Sequence, residues 1–136
     1  MTYSDLVADD YMGRHDLNCA ETMLYAANEF YRLGLSDAAL KAAAPFGGGM
    51  GREKACGALT GGLMALGALF ATDRSHRDPR IGEIRDEFVR RFQSEFSSLD
   101  CRDIKLTHRS ETRGCKPVVE RAARVLESVV EEYRAD

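Results

Sequence analysis

The chain has 136 residues, 44% of them hydrophobic and 30% charged, and a formal net charge of −3. That length and balance read as one folded domain over residues 1–136, large enough to bury a core without staples. A slightly acidic chain has no electrostatic reason to bind nucleic acid, because contact with phosphate backbones needs a basic surface.

The N-terminal residues are acidic and lack a basic segment leading into an apolar run, so no signal peptide is expected. The chain is therefore read as cytoplasmic, where thiols are kept reduced. Its four cysteines then call for an explanation other than structural disulfides. Residues 3–13 form a short helix with Leu6, Val7 and Tyr11 turned inward, ended by Gly13. Asp16 or Asn18 is a good N-cap for a second helix that starts near Cys19 and runs to Leu33, with Gly34 placed as its terminating glycine. Ala20, Met23, Leu24, Ala27, Phe30 and Tyr31 make its apolar face. Ser36 caps a third helix over residues 37–44, stopped by Pro45.

Residues 45–70 are the stretch around which the rest is expected to pack. Gly47, Gly48, Gly49 and Gly51 make a loop that no ordinary helix tolerates. From about Arg52 the pattern turns helical, with Leu59, Leu63, Leu66 and Phe70 at spacings of four, three and four. The other faces carry alanine and glycine, and a helix apolar or small on every side is buried on every side. Residues 55–71 are uncharged, but at 17 residues, diluted by glycines, they read as a core helix and not as a membrane span. The small-residue face suits a homodimer as well as a core.

Asp78-Pro79 opens a helix that runs to about Ser97, with Ile81, Ile84, Phe88, Val89, Phe92 and Phe96 on one face. Residues 99–104 read as a turn or a one-turn helix, and residues 105–113 as a polar, mobile surface loop. Pro117 sits in the first turn of a last helix, which buries Val118, Ala122, Val125, Leu126, Val129, Val130 and Tyr133. No run reads as a strand. The expected fold is all-α, a bundle of five or six helices around the Gly/Ala-rich one.

Cys19, Cys56, Cys101 and Cys115 each fall at or near the start of a predicted helix. The unpaired N–H groups and positive dipole end of a helix favour a thiolate, which makes a cysteine reactive or able to ligate metal. No Cys-x-x-Cys occurs, so a joint site must be assembled by the fold. The plainer reading takes each cysteine as a small buried hydrophobe. That suits Cys56 among its alanines and glycines, but not Cys101 and Cys115, whose neighbours Asp100, Arg102, Gly114 and Lys116 are polar.

Asn18-Cys19-Ala20-Glu21, the run Phe46-Gly-Gly-Gly-Met-Gly-Arg52, the Cys-Gly-Ala-x-x-Gly run from Cys56 to Gly61, Cys101-Arg102 and Gly114-Cys115-Lys116-Pro117 belong together. In this order they resemble the redox-active family named for its pattern C_GCAxxG_C_C. The resemblance implies a redox role for all four cysteines. Related domains accompany haem-binding segments in split-Soret-type cytochromes, where an iron–sulfur site is suggested. This chain has no haem attachment motif, so the haem part does not carry over.

Gly48, Gly49, Gly51 and Arg52 are candidates for holding an anion or cofactor at the start of the central helix. The plainer reading is a tight turn that lets the chain pass close to the Cys19 helix. His15 lies four residues before Cys19 as a candidate ligand or proton donor, while His76 and His108 sit in polar loops.

Three functions from different classes follow. The first is an electron-transfer protein whose four thiolates hold an iron–sulfur cluster. The second is a dithiol oxidoreductase or thiol sensor, pairing Cys19 with Cys56 and Cys101 with Cys115. The third is a non-catalytic domain with a structural zinc on the same four sulfurs. The first two require a redox partner protein that the sequence does not identify.

Overall fold

The computed structural model describes residues 1–135. Helix accounts for 74% of the chain, and no strand forms among the described residues, so the fold is all-α. The helices are α1 (Tyr3–Ala8), α2 (Tyr11–Arg14), α3 (Cys19–Tyr31), α4 (Asp37–Lys41), α5 (Gly57–Phe70), α6 (Pro79–Phe96), α7 (Cys101–His108) and α8 (Lys116–Arg134). Short 3-10 turns occupy Ala44–Phe46 and Ser75–Arg77.

These eight helices replace the expected five or six. The single helix expected over residues 3–13 is broken by Asp10, whose φ of 52° is left-handed. Residues 101–108, expected as a turn running into a loop, form α7. Ile104 holds α7 in the core at 2% exposure, and the Thr107 hydroxyl donates to the Asp103 carbonyl at 2.7 Å. α3 stops one turn before Gly34, at a left-handed Arg32 (φ 55°), and α4 ends at Lys41 instead of residue 44.

The largest correction concerns the Gly/Ala-rich helix. α5 begins at Gly57, not near Arg52, because Gly48, Gly49, Met50, Gly51 and Glu53 all have positive φ. L-residues favour right-handed backbone, so the turn over Gly49–Glu53 is strained at Met50 and Glu53 and depends on its glycines. Nor is α5 buried all round. Gly57, Ala58, Leu59, Gly61, Gly62, Ala65 and Leu66 are buried, Leu63, Met64, Leu69 and Phe70 are half-buried, and Ala68 is exposed.

α5 packs most extensively on α3, and also on α6 and α8. A Cβ at Gly61 would stand 2.3 Å from the Ala20 carbonyl oxygen, so the two helices meet backbone to backbone. The rest of the core is made by side-chain stripes. α6 contributes the ladder Phe88, Phe92 and Phe96, and α8 contributes Val118, Val119, Ala122, Ala123, Leu126, Val129 and Val130. Tyr3, fully buried, donates its hydroxyl to the Met23 carbonyl at 2.9 Å. Asn18 caps α3 reciprocally with Glu21, and Asp78 caps α6 through the Ile81 N–H. No helix among the described residues is long and apolar enough to cross a membrane.

Candidate functional site

Each cysteine stands at a helix start. Cys19 and Cys101 are the first residues of α3 and α7, and Cys56 and Cys115 are the N-caps of α5 and α8. The fold turns these four starts toward one cavity of about 280 Å³, lined by all four cysteines together with Asn18, Gly48, Lys105 and Arg109 among others.

Backbone contacts, not local spacing, bring the segments together. Ala55 and Asp100 form an isolated antiparallel bridge. On either side of it the Cys56 N–H donates to the Leu99 carbonyl at 2.8 Å, and the Cys101 N–H donates to the Lys54 carbonyl at 2.6 Å. The left-handed turn makes this approach possible. A Cβ at Gly49 would lie 2.6 Å from the Lys54 nitrogen and 2.7 Å from the Cys101 Cβ. Cys19 is brought in by α3, its Cβ 3.2 Å from where Gly57 would carry one. Cys115 is delivered by a tight turn in which Ser110 and Gly114 exchange backbone hydrogen bonds of 2.8 and 3.0 Å.

The thiols differ in their protonation. Burial raises Cys56 to about 11, against a partial offset from the Ala58 and Leu59 N–H groups that donate to its sulfur. Burial also raises Cys101, with the Lys105 charge pulling the other way. Cys19 is pushed well up, first because its thiol is hydrogen-bonded to Cys115 and then by burial. Cys115 alone is lowered, to about 6. The hydrogen bond from Cys19 is the largest cause, burial opposes it, and the Arg109 and Lys105 charges add to it. A helix start was expected to favour a thiolate at all four positions. For Cys56 and Cys101 the cost of desolvating the charge outweighs the helix end, and for Cys19 the neighbouring Cys115 thiol weighs more than burial.

All four cysteines are free thiols, and Cys19 and Cys115 bear on each other's protonation most strongly. Among the described residues no group of three or more His, Cys, Asp or Glu side chains is placed to hold a metal ion. Of the glycine-loop candidates, Gly48 lines the cavity and Gly49 backs it, whereas Gly51 and Arg52 do not reach it. The Arg52 guanidinium instead donates to the Gly51 carbonyl at 3.1 Å. His15 is exposed and packs at a tilt against Tyr11, with ring centroids 4.2 Å apart. His108 bonds Arg121 through Nδ1 at 2.8 Å.

Lys105 and Arg109 were missed because their segment read as a loop. Cys101, Lys105 and Arg109 recur at intervals of four, which places them along one face of α7 and its cap. That periodicity becomes a signal only once the segment is known to be helical.

A family model described as "Putative redox-active protein (C_GCAxxG_C_C)" matches residues 17–129, a span that contains all four cysteines. No curated protein and no solved structure matches the chain.

Proposed function

The chain belongs to the C_GCAxxG_C_C family, and from that premise we propose that it exchanges thiols for disulfides, with Cys115 and Cys19 as the reacting pair. The lining of one cavity by Cys19 and Cys115 together with Arg109 and Lys105 is the observation that carries the reading, and within it the Cys115 thiol alone is lowered, to about 6. Cys115 is the nucleophile. Its thiolate attacks one sulfur of a partner disulfide, the S–S bond breaks, and one half leaves as a thiolate that takes up a proton. The Cys19 thiol then loses its proton and attacks the Cys115 sulfur, closing a Cys19–Cys115 disulfide and expelling the second half. Two electrons pass from the dithiol to the partner disulfide, which ends as two thiols. Cys56 and Cys101, kept protonated by burial, line the rest of the cavity.

The test is peptide mass spectrometry of reduced protein treated with one equivalent of a small disulfide. A Cys19–Cys115 link is expected, and Cys19→Ser should trap a mixed disulfide on Cys115. Labelling that begins at Cys56 or Cys101, or no intramolecular link, would sink the reading.

The iron–sulfur reading has one observation in its favour, the lining of one cavity by all four cysteines. Four thiolates are the usual complement for such a cluster. The side chains as arranged do not fit it, or a zinc ion, because no three of them are grouped to ligate. The thiol pair is therefore the better-supported function. Stoichiometric iron and sulfide in protein prepared without oxygen, with visible absorption, would reverse that preference.

A further inference from the structure

A second cavity, of about 370 Å³, opens beside the first and is lined by Glu53, Arg102, Lys105, Leu106 and Arg109. Lys105 and Arg109 line both cavities, so the two adjoin at those side chains. The lining holds three cations and one carboxylate. Glu53 is engaged with Lys105 at 3.5 Å, and neither Arg102 nor Arg109 has a carboxylate within ion-pair distance among the described residues. This local excess runs against the net charge of −3 of the whole chain. Leu106, 83% exposed, adds an apolar wall.

Resting on the thiol-exchange reading, we propose that the substrate is a small-molecule disulfide bearing a carboxylate, its sulfur in the thiol cavity and its carboxylate held by Arg102 and Arg109 in the second. Guanidinium groups suit this task because they meet carboxylates in a planar, two-bond geometry. Arg109 lines both cavities, so the reacting sulfur lies in the cavity that Cys115 lines while the carboxylate lies in the other. The exchange is the one already written, and the carboxylate takes no part in the bonds made and broken.

The experiment measures oxidation of the reduced full chain by three small disulfides: dithiodipropionate with two carboxylates, bis-hydroxyethyl disulfide with none, and cystamine with two ammonium groups. Each rate is divided by the rate of the same disulfide with a free small thiol, which removes intrinsic reactivity. The expected order is anion, neutral, cation, with about a tenfold span at low salt that shrinks at high salt. Arg102→Ala should lower the anion-to-neutral ratio severalfold, and Arg102→Lys should restore part of it. Circular dichroism checks that both variants fold.

A redox-silent arm separates the two claims. Octanedioate, the carbon counterpart of dithiodipropionate, should bind in calorimetry more tightly than octanediol, and Arg102→Ala should weaken it. Equal normalised rates for the three disulfides, or no difference between octanedioate and octanediol, overturn the carboxylate site. If no disulfide reacts while octanedioate binds through Arg102, the anion site stands and the exchange reading falls.

Discussion

At the thiol end of α5, Gly57 and Gly61 press against the backbone of α3, with no room for a Cβ at Gly61. Two turns further on, Gly67 has no neighbour within 4 Å of where its Cβ would stand, and Ala68 faces solvent. The same residue type therefore serves opposite ends. Near the cysteines, glycine is the contact itself, since it lets helix starts and a left-handed turn approach at backbone distance. At the outer end, glycine only loosens the helix. Side-chain stripes hold the molecule together, and backbone contacts shape its candidate site.

The largest effect should come from closing the gap that this contact needs. Gly61→Ala drives a methyl into the Ala20 carbonyl, and backbone yields less readily than a side-chain tip. Overpacking of this kind costs about 1–3 kcal/mol, and the upper end is expected here. Urea unfolding measures it. A loss under about 0.5 kcal/mol would mean that α3 and α5 are not in backbone contact, and the comparison between the two ends would collapse.

Next in size is the reactivity of Cys115. A thiol lowered to about 6 is ionised at neutral pH and becomes protonated only as the pH falls through that value. An ordinary cysteine, with a pKa near ~8.5, is only a few per cent thiolate at pH ~7. Low-pKa thiolates are also weaker nucleophiles, so the net gain in alkylation rate near neutrality is only about two- to threefold. The Cys115 rate should rise through pH 6 and then level off, while Cys56, raised to about 11, stays slow. A Cys115 rate that climbs only above pH ~8 would remove the thiolate from the exchange mechanism.

How much of this was legible in the sequence divides along the same line. The Phe88, Phe92 and Phe96 ladder and most of the α8 stripe follow helical periodicity and are buried as read, with Val125 and Tyr133 only half-buried. Two of the four helix starts that carry cysteines, those of α3 and α8, were legible too, because Asn18 and Pro117 punctuate them. Three features were not legible. Met50 and Glu53 take left-handed backbone that nothing in their side chains announces. α7 turns only Cys101 and Ile104 fully inward, too few apolar residues to reveal a period. That Cys19 and Cys115, 96 positions apart in the chain, line one cavity follows from how the fold brings α3 and α8 together, and no spacing rule reaches that far.

A smaller effect is expected at Asn18. Its side chain accepts from the Glu21 N–H at 2.8 Å and donates to the Ala44 carbonyl at 3.0 Å, and Gly47 has no room for a Cβ beside it. Asn18→Ala removes one cap and one tie between α3 and the glycine loop, for a loss of about 1 kcal/mol. A thermal melt lower by a few degrees would match. Unchanged stability would show that the glycine loop is held without this residue.

The smallest effect has the opposite sign, and it is the sharpest check on the outer end. Gly67 lies inside α5 with open space around its Cα and no positive φ. Glycine in a helix interior loses more backbone freedom on folding than alanine does, so Gly67→Ala should stabilise the chain by about 0.5–1 kcal/mol. The gain acts through the unfolded state and needs no new contact, so it should not depend on protein concentration. A loss instead of a gain, growing with concentration, would mean that something covers this face in solution. A second copy of the chain, packed along Gly67 and Ala68, would then meet the added methyl group. The outer half of α5 would resemble its thiol end, with glycine again serving as a contact.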